Sequence, residues 1–381
     1  MKLLTRLGAA ALALGLLTPA AAQDGAPVEV GVILPMSGPS SLAASEVIQG
    51  VRLAVEEANA EGGVLDGRPI ELIVEDDESS PTKGTTAARK LIEQDDVAAI
   101  LGTYNSAVAE AALKVAREAE VPMVAGGSTA VSVTDLNEPG DPWFFRPYPG
   151  SDVQGRESGV DTVEVLGAKR LAIIHDNSSY GNSLADTFAE VTEEAGAEIV
   201  ARESFNAGEQ DFYSMLTRLR ALGPDAIYLG GLVGDGATIV RQANEMGLET
   251  QFMGSGSMMT DKFIELTGAA SEGFAVSSMF EPDTPNEHGA AFAERFVERW
   301  GVNANVHSAL GYDSMSLIIA AIEKAGATEG PAIRDALLEL EDHPLVEGPP
   351  GTTAKFNEQG GVDFNIGLAI VKDGKRELQP F

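Results

Sequence analysis

Short, wholly apolar runs alternate with helix-patterned segments twice over in this chain, and that rhythm narrows the possible folds more than any other feature. Val28–Met36 is an apolar strand followed by a loop, 37–41, and by residues 45–60, where Val47, Gly50, Val51, Ala54, Val55 and Ala58 recur at helical spacing. Ile70–Asp77 reads as a second strand. Ser80-Pro81 predicts a helix start with serine as cap and proline in the first turn. Val97–Leu101 and Val121–Gly126 are further strands, with a helix between them over 107–119. The pattern then restarts: strands at 170–175, 197–205, 225–231 and 251–256 alternate with helices at 181–195, 211–221 and 234–246. Strands apolar on both faces and separated by helices imply parallel sheets covered on both sides. The expected class is α/β, two similar Rossmann-like lobes, with the proline- and aromatic-rich stretch Asp141–Gly150 crossing between them.

The last third is helical. Thr284-Pro285-Asn286-Glu287 has the pattern of a capping box that opens a helix to about Trp300. Helices at 309–325 and about 331–340 follow, then extended stretches at 354–356 and 364–371.

The first residues carry a different signal. Lys2 and Arg6 precede an apolar run over Gly8–Leu17, then Thr18–Ala22, which ends in an A-x-A-like site. This predicts an exported chain cleaved after Ala22, because the run is about half the roughly 20 residues a membrane span needs. No cysteine follows that could take a lipid. The mature protein is expected to be free in the periplasm.

Composition removes whole classes of function. The chain has no cysteine, which excludes disulfides, thiolate metal sites and cysteine nucleophiles. Its net charge of -32 repels nucleic acid and anionic membranes. With lysine only 10 of 26 basic residues, the acidity also predicts a halophilic or marine Gram-negative source and a fold that salt stabilises.

Candidate chemistry is sparse. His175 beside Asp176 could pair a base with an orienting carboxylate, with Ser106 or Ser178 as nucleophile in an exported hydrolase; a loop-entry residue is the plainer reading. Asp76, Asp77 and Glu78 lack calcium-loop spacing and read as a solvated acidic turn. No phosphate loop is present, and neither a metal nor a cofactor is expected. What remains are polar loops at strand ends, where open α/β sheets bind ligands. Gly102–Ala107 puts Ser106 at a helix start, and Ala125–Ala130 puts Ser128 and Thr129 beside two glycines. Hydroxyls with free N–H groups suit one carboxylate; simple helix capping accounts for both loops equally well.

In this order, Pro35–Pro39 (PMSGP), Gln49–Gly67 (QGVRLAVEEANAEGGVLDG), Ile173–Gly181 (IIHDNSSYG), Phe205–Tyr228 and Thr250–Gly256 (TQFMGSG) resemble the branched-chain amino acid binding proteins of bacterial ABC importers. The resemblance covers essentially the whole mature chain. It implies a type I periplasmic binding fold with a ligand cleft between two lobes joined by three crossings, near Phe145–Pro149, Val276–Met279 and Thr352–Phe356. Residues 23–146 and 279–352 would form the first lobe, and 147–278 with 353–381 the second. It implies a monomer that closes on a small carboxylate-bearing ligand and delivers it to inner-membrane permease subunits and their ATPases. A periplasmic sensing domain is the related alternative.

Carried over residue by residue, the resemblance assigns the ligand carboxylate to Ser106, the next loop's contacts to Gly127 and Thr129 (with Ser128 between them), and a second-lobe contact to Tyr180. Three positions depart from the family. An early aromatic falls on Ala43, a second on Leu232, and the acid that pairs with the ligand ammonium falls on Gly256. Asp235, Glu46 or Asp313 would replace that acid if the ligand is an amino acid. Otherwise the ligand is an aromatic or aliphatic carboxylic acid, an amide or urea. A branched-chain or other hydrophobic amino acid is the leading expectation.

Overall fold

The computed structural model describes residues 25–379. The predicted signal peptide and its cleavage site after Ala22 lie outside the described residues. Strands β1 (Val28–Leu34), β2 (Ile70–Asp76), β3 (Ala99–Gly102), β4 (Met123–Val124) and β5 (Phe144–Phe145) form one parallel sheet in the order β2-β1-β3-β4-β5. A second sheet, ordered β12-β11-β10-β9-β8-β6-β7, contains β6 (Arg170–Asp176), β7 (Glu198–Phe205), β8 (Ala226–Gly230), β9 (Gln251–Gly254), β10 (Ala275–Ser278), β11 (Gly367–Lys372) and β12 (Lys375–Leu378). Its first five strands are parallel, and β11 and β12 close one edge antiparallel.

Twelve α-helices connect the strands among the described residues. They are α1 (Ser41–Ala60), α2 (Pro81–Glu93), α3 (Ser106–Glu118), α4 (Val131–Thr134), α5 (Ser151–Val160), α6 (Ser179–Glu194), α7 (Tyr213–Leu222), α8 (Val233–Glu245), α9 (Asp261–Thr267), α10 (Glu287–Trp300), α11 (Val306–Ala325) and α12 (Gly330–Leu338). The C-terminal helices return to the first lobe. Val30, Val32 and Leu34 of β1 share a core with Val47 and Val51 of α1 and with Leu317, Ile318 and Ile322 of α11. Each such side chain, removed from water, contributes about 1.5–3 kcal/mol. The α1–α11 contact is close because both helices place glycine in it. A Cβ on Gly50 would fall 1.9 Å from the Ser308 carbonyl oxygen, and one on Gly311 2.2 Å from that of Val47.

Several local expectations are corrected. Helix α10 is capped by Asn286, whose side chain accepts from the His288 N–H at 3.1 Å; Thr284 instead accepts from the Asn286 N–H. Ser80 precedes α2 as expected but makes no side-chain cap bond. Residues 354–356 form no strand, whereas β11 and β12 make a hairpin through Asp373-Gly374, both at positive φ, a turn signal the sequence reading passed over.

The lobes change partners at three places. β5 leads through 146–150 into α5, which packs on α6, and β10 leads into the first-lobe helix α10. Residues 354–362 bond to and pack with first-lobe elements. Ala354 donates to the His343 carbonyl, Arg146 and residues 360–362 exchange backbone bonds at 2.7 and 2.9 Å, and Val362 lies in the first-lobe core.

Candidate functional site

The C-terminal ends of the parallel strands in both sheets face one cleft, as this architecture dictates. A cavity of about 330 Å³ lies there. From the first lobe it is lined by Pro39, Ser40, Tyr104 and Asn105, by Ser106, Ala107 and Val108 opening α3, by Gly127 and Thr129, and by Val306, His307 and Leu310 of α11. The second lobe contributes Gln154, Asp176, Ser178, Tyr180, Leu232, Gly256 and Ser257.

Six of the residues singled out from sequence meet in this cavity: Ser106, Gly127, Thr129, Tyr180, Leu232 and Gly256. Ser106 sits at the first position of α3, where N–H groups lack helical partners. Its Oγ accepts from the Ala130 N–H at 3.2 Å, which leaves its proton available. Thr129 is buried, and its hydroxyl has no partner among the described residues. This is the composition of an anion seat.

Other expectations fail on geometry. The Gly127 N–H is already engaged, donating to Tyr148 Oη at 2.7 Å. Ser128 and Ala43 do not line the cavity; Ala43 packs in the first-lobe core, and the cleft wall there is Pro39 and Ser40. Asp235 accepts from the Gly208 N–H at 3.0 Å and lines an adjoining pocket of about 300 Å³ that shares Pro39 and Leu232 with the cavity. Asp313 is fully buried away from the cleft, accepting from the Val346 and Glu347 N–H groups. Glu46 does not reach the cavity and instead binds His307 Nδ1 at 2.7 Å. The Asp76–Glu78 turn is solvated at Asp76 and Glu78 but not at Asp77. Asp77 is buried, which pushes its carboxyl up to about 6, and Glu78 and Ser79 border the cavity.

Asp176, read from sequence only as a possible partner of His175, lines the cavity itself. It ends β6 with 2% exposure, and its Oδ1 accepts from both the N–H (2.9 Å) and the hydroxyl of Ser178. Burial raises its pKa, and the Ser178 bonds oppose that rise. His175, its neighbour on the strand, does not line the cavity. The His175 ring bonds the Asp176 backbone oxygen (2.8 Å) and accepts from Arg202 (3.1 Å), so no base–carboxylate pair forms. Strand alternation was the available signal, since adjacent residues point to opposite faces.

The electrostatics are one-sided. Among the described residues, Asp176 and Glu78 line the cavity and no lysine or arginine does. A ligand carboxylate must therefore rest on hydroxyls and helix-start N–H groups, and a cationic group would meet Asp176. At Gly256, the expected acid site, an added Cβ would lie 3.4 Å from Gln154 Oε1 and 3.6 Å from Met279 Cε, so this wall is formed by backbone and by those two side chains.

Residues 27–375 match the family described as periplasmic binding protein. The chain is 32% identical over 347 residues to an amino acid binding protein of Pseudomonas aeruginosa, covering 90% of each chain. It superposes on the leucine binding protein LivK of Thermotoga maritima with a TM-score of 0.85, at 30% identity over 93% of this chain and 98% of that one. The branched-chain amino acid substrate binding protein LivJ of Streptococcus pneumoniae, in complex with isoleucine, gives a TM-score of 0.85 at 26% identity, covering 92% of this chain and 98% of that one.

Proposed function

Because this chain belongs to the periplasmic binding protein family, as a type I member related to the branched-chain amino acid binding proteins of ABC importers, we propose that it captures a hydrophobic amino acid as the zwitterion. The family makes it a solute-binding component, not an enzyme, and implies a cognate permease with its ATPases. One observation carries the choice of ligand: the cavity pairs a neutral anion seat, Ser106 and Thr129, with the buried Asp176 carboxylate. A plain carboxylic acid would bring its charge beside the buried Asp176 carboxylate with no lysine or arginine lining the cavity to offset it, a costly arrangement in a desolvated site. An amino acid supplies its own ammonium. Export by a signal peptide cleaved after Ala22, and rigid closure of the lobes about the three crossings, complete the reading.

Titration calorimetry of leucine against 4-methylpentanoic acid, its deaminated counterpart, tests this. Leucine should bind at least about 100-fold more tightly, and Asp176→Asn should shrink that ratio, because it removes a charge-assisted bond. Equal or tighter binding of the deaminated acid would reverse the assignment.

A further inference from the structure

Three side chains from three elements form a connected chain that ends at the cavity. Glu46 on α1 lies 2.7 Å from His307 Nδ1 on α11, and His307 Nε2 lies 3.1 Å from Tyr104 Oη, just beyond β3. His307 and Tyr104 are buried, with rings edge-on at 5.5 Å, and both line the cavity. The Tyr104 ring rests on Gly127, where a Cβ would fall 2.4 Å from its Cδ2, so the phenol has one place to lie. The wall nearby is apolar: Val306 and Leu310 flank His307 along α11.

The bonding has a direction. A carboxylate only accepts, so Glu46 places the proton of the imidazole on Nδ1. Nε2 of that tautomer is an acceptor and takes the Tyr104 proton. Tyr104 then has no proton left to offer and faces the cavity as an acceptor alone. An apolar ligand tail leaves that oxygen's lone pairs without a donor, whereas a tail with a hydroxyl supplies one.

We propose that Tyr104, oriented by His307 and Glu46, is a specificity-determining residue that favours an amino acid whose side chain carries a hydrogen-bond donor over its apolar isostere. The inference rests on the amino-acid reading of the site given above. Tyr104 touches the ligand; His307 and Glu46 act through it as positioning residues.

Threonine and valine test it, since they differ by a hydroxyl for a methyl. In calorimetry on the mature protein, threonine should bind at least about tenfold more tightly than valine. Tyr104→Phe, which keeps the ring against Gly127, should collapse that ratio, and so should His307→Phe. Nitrogen-15 spectra of His307 should show Nδ1 protonated and Nε2 as acceptor, and Glu46→Gln should disturb that pattern. Equal binding of threonine and valine overturns the proposal and leaves the amino-acid reading standing. So does a Tyr104→Phe loss equal for both ligands, which would place the phenol against the ligand's common backbone. A reversed or doubly protonated imidazole also overturns it. If leucine binds but neither threonine nor valine does, this proposal falls alone; if none of the three binds, the amino-acid reading falls with it.

Discussion

The Asp313 carboxylate accepts from the backbone N–H of Glu347 at 3.2 Å, and both side chains are fully buried, yet neither carboxylate oxygen of Glu347 meets a donor among the described residues. Gly348, the next residue, donates to the Met279 carbonyl at 2.9 Å, so this acidic pair stands beside the second crossing between lobes.

Burial raises Asp313 to about 7 against the Val346 and Glu347 N–H bonds that favour its charge, and burial with the neighbouring Asp313 charge raises Glu347 well above the ordinary carboxylate range. In the unfolded chain both ionise near about 4. The folded state therefore binds more protons above that pH, and stability falls as pH rises from about 4 through about 7. Glu347→Gln, which keeps the shape without the charge, should flatten that decline. Thermal melts of both proteins should diverge between about pH 5 and about pH 8, with the variant the more stable at the upper end.

Removing both hydroxyls of the anion seat should cost affinity and little else. Ser106→Ala with Thr129→Ala should weaken the ligand by about 2 kcal/mol or more, roughly 30-fold, because two hydrogen bonds to a carboxylate are lost. Calorimetry on a confirmed ligand reads this directly. An unchanged affinity removes both residues from the site.

Gly127 has φ 134°, a conformation that L side chains rarely adopt, and its missing Cβ makes room for the Tyr104 ring. Gly127→Ala should destabilise the first lobe by about 1–3 kcal/mol through backbone strain and should weaken binding by displacing Tyr104. Denaturant unfolding and calorimetry should therefore move together.

The net charge of -32 should make stability salt-dependent. Sodium chloride screens the self-repulsion without strengthening apolar burial as sulfate does, so the melting temperature should rise from low salt towards molar salt. A flat profile would tell against the halophilic expectation.

Much of the architecture was legible because it is written locally. Apolar strands such as Val28–Leu34 and Arg170–Asp176, with helices between them, specify parallel sheets whatever their neighbours, and parallel sheets bind ligands at their C-terminal ends. Ser106 and Thr129 could be found the same way, as hydroxyls in loops at those ends. Misplacements came where local pattern allowed two answers. Asn286 took the cap from Thr284, two residues away, and β12, beyond the Asp373-Gly374 turn, was not anticipated.

Sequence by itself determined the α/β class, the two sheets, the export signal, the absence of cysteine chemistry and the strand-end loops, since each depends on residues close along the chain. Only the tertiary structure decided which of the candidate acids lines the cavity. Asp176, Asp235, Glu46 and Asp313 are all acidic and all near loops or helix starts. What separates them is the direction each side chain takes once strands twist and helices pack: Asp176 into the cleft, Asp235 onto Gly208, Asp313 onto residues 346–347, and Glu46 onto a histidine 261 positions away. Direction at that range is set by packing between elements, which no local pattern encodes.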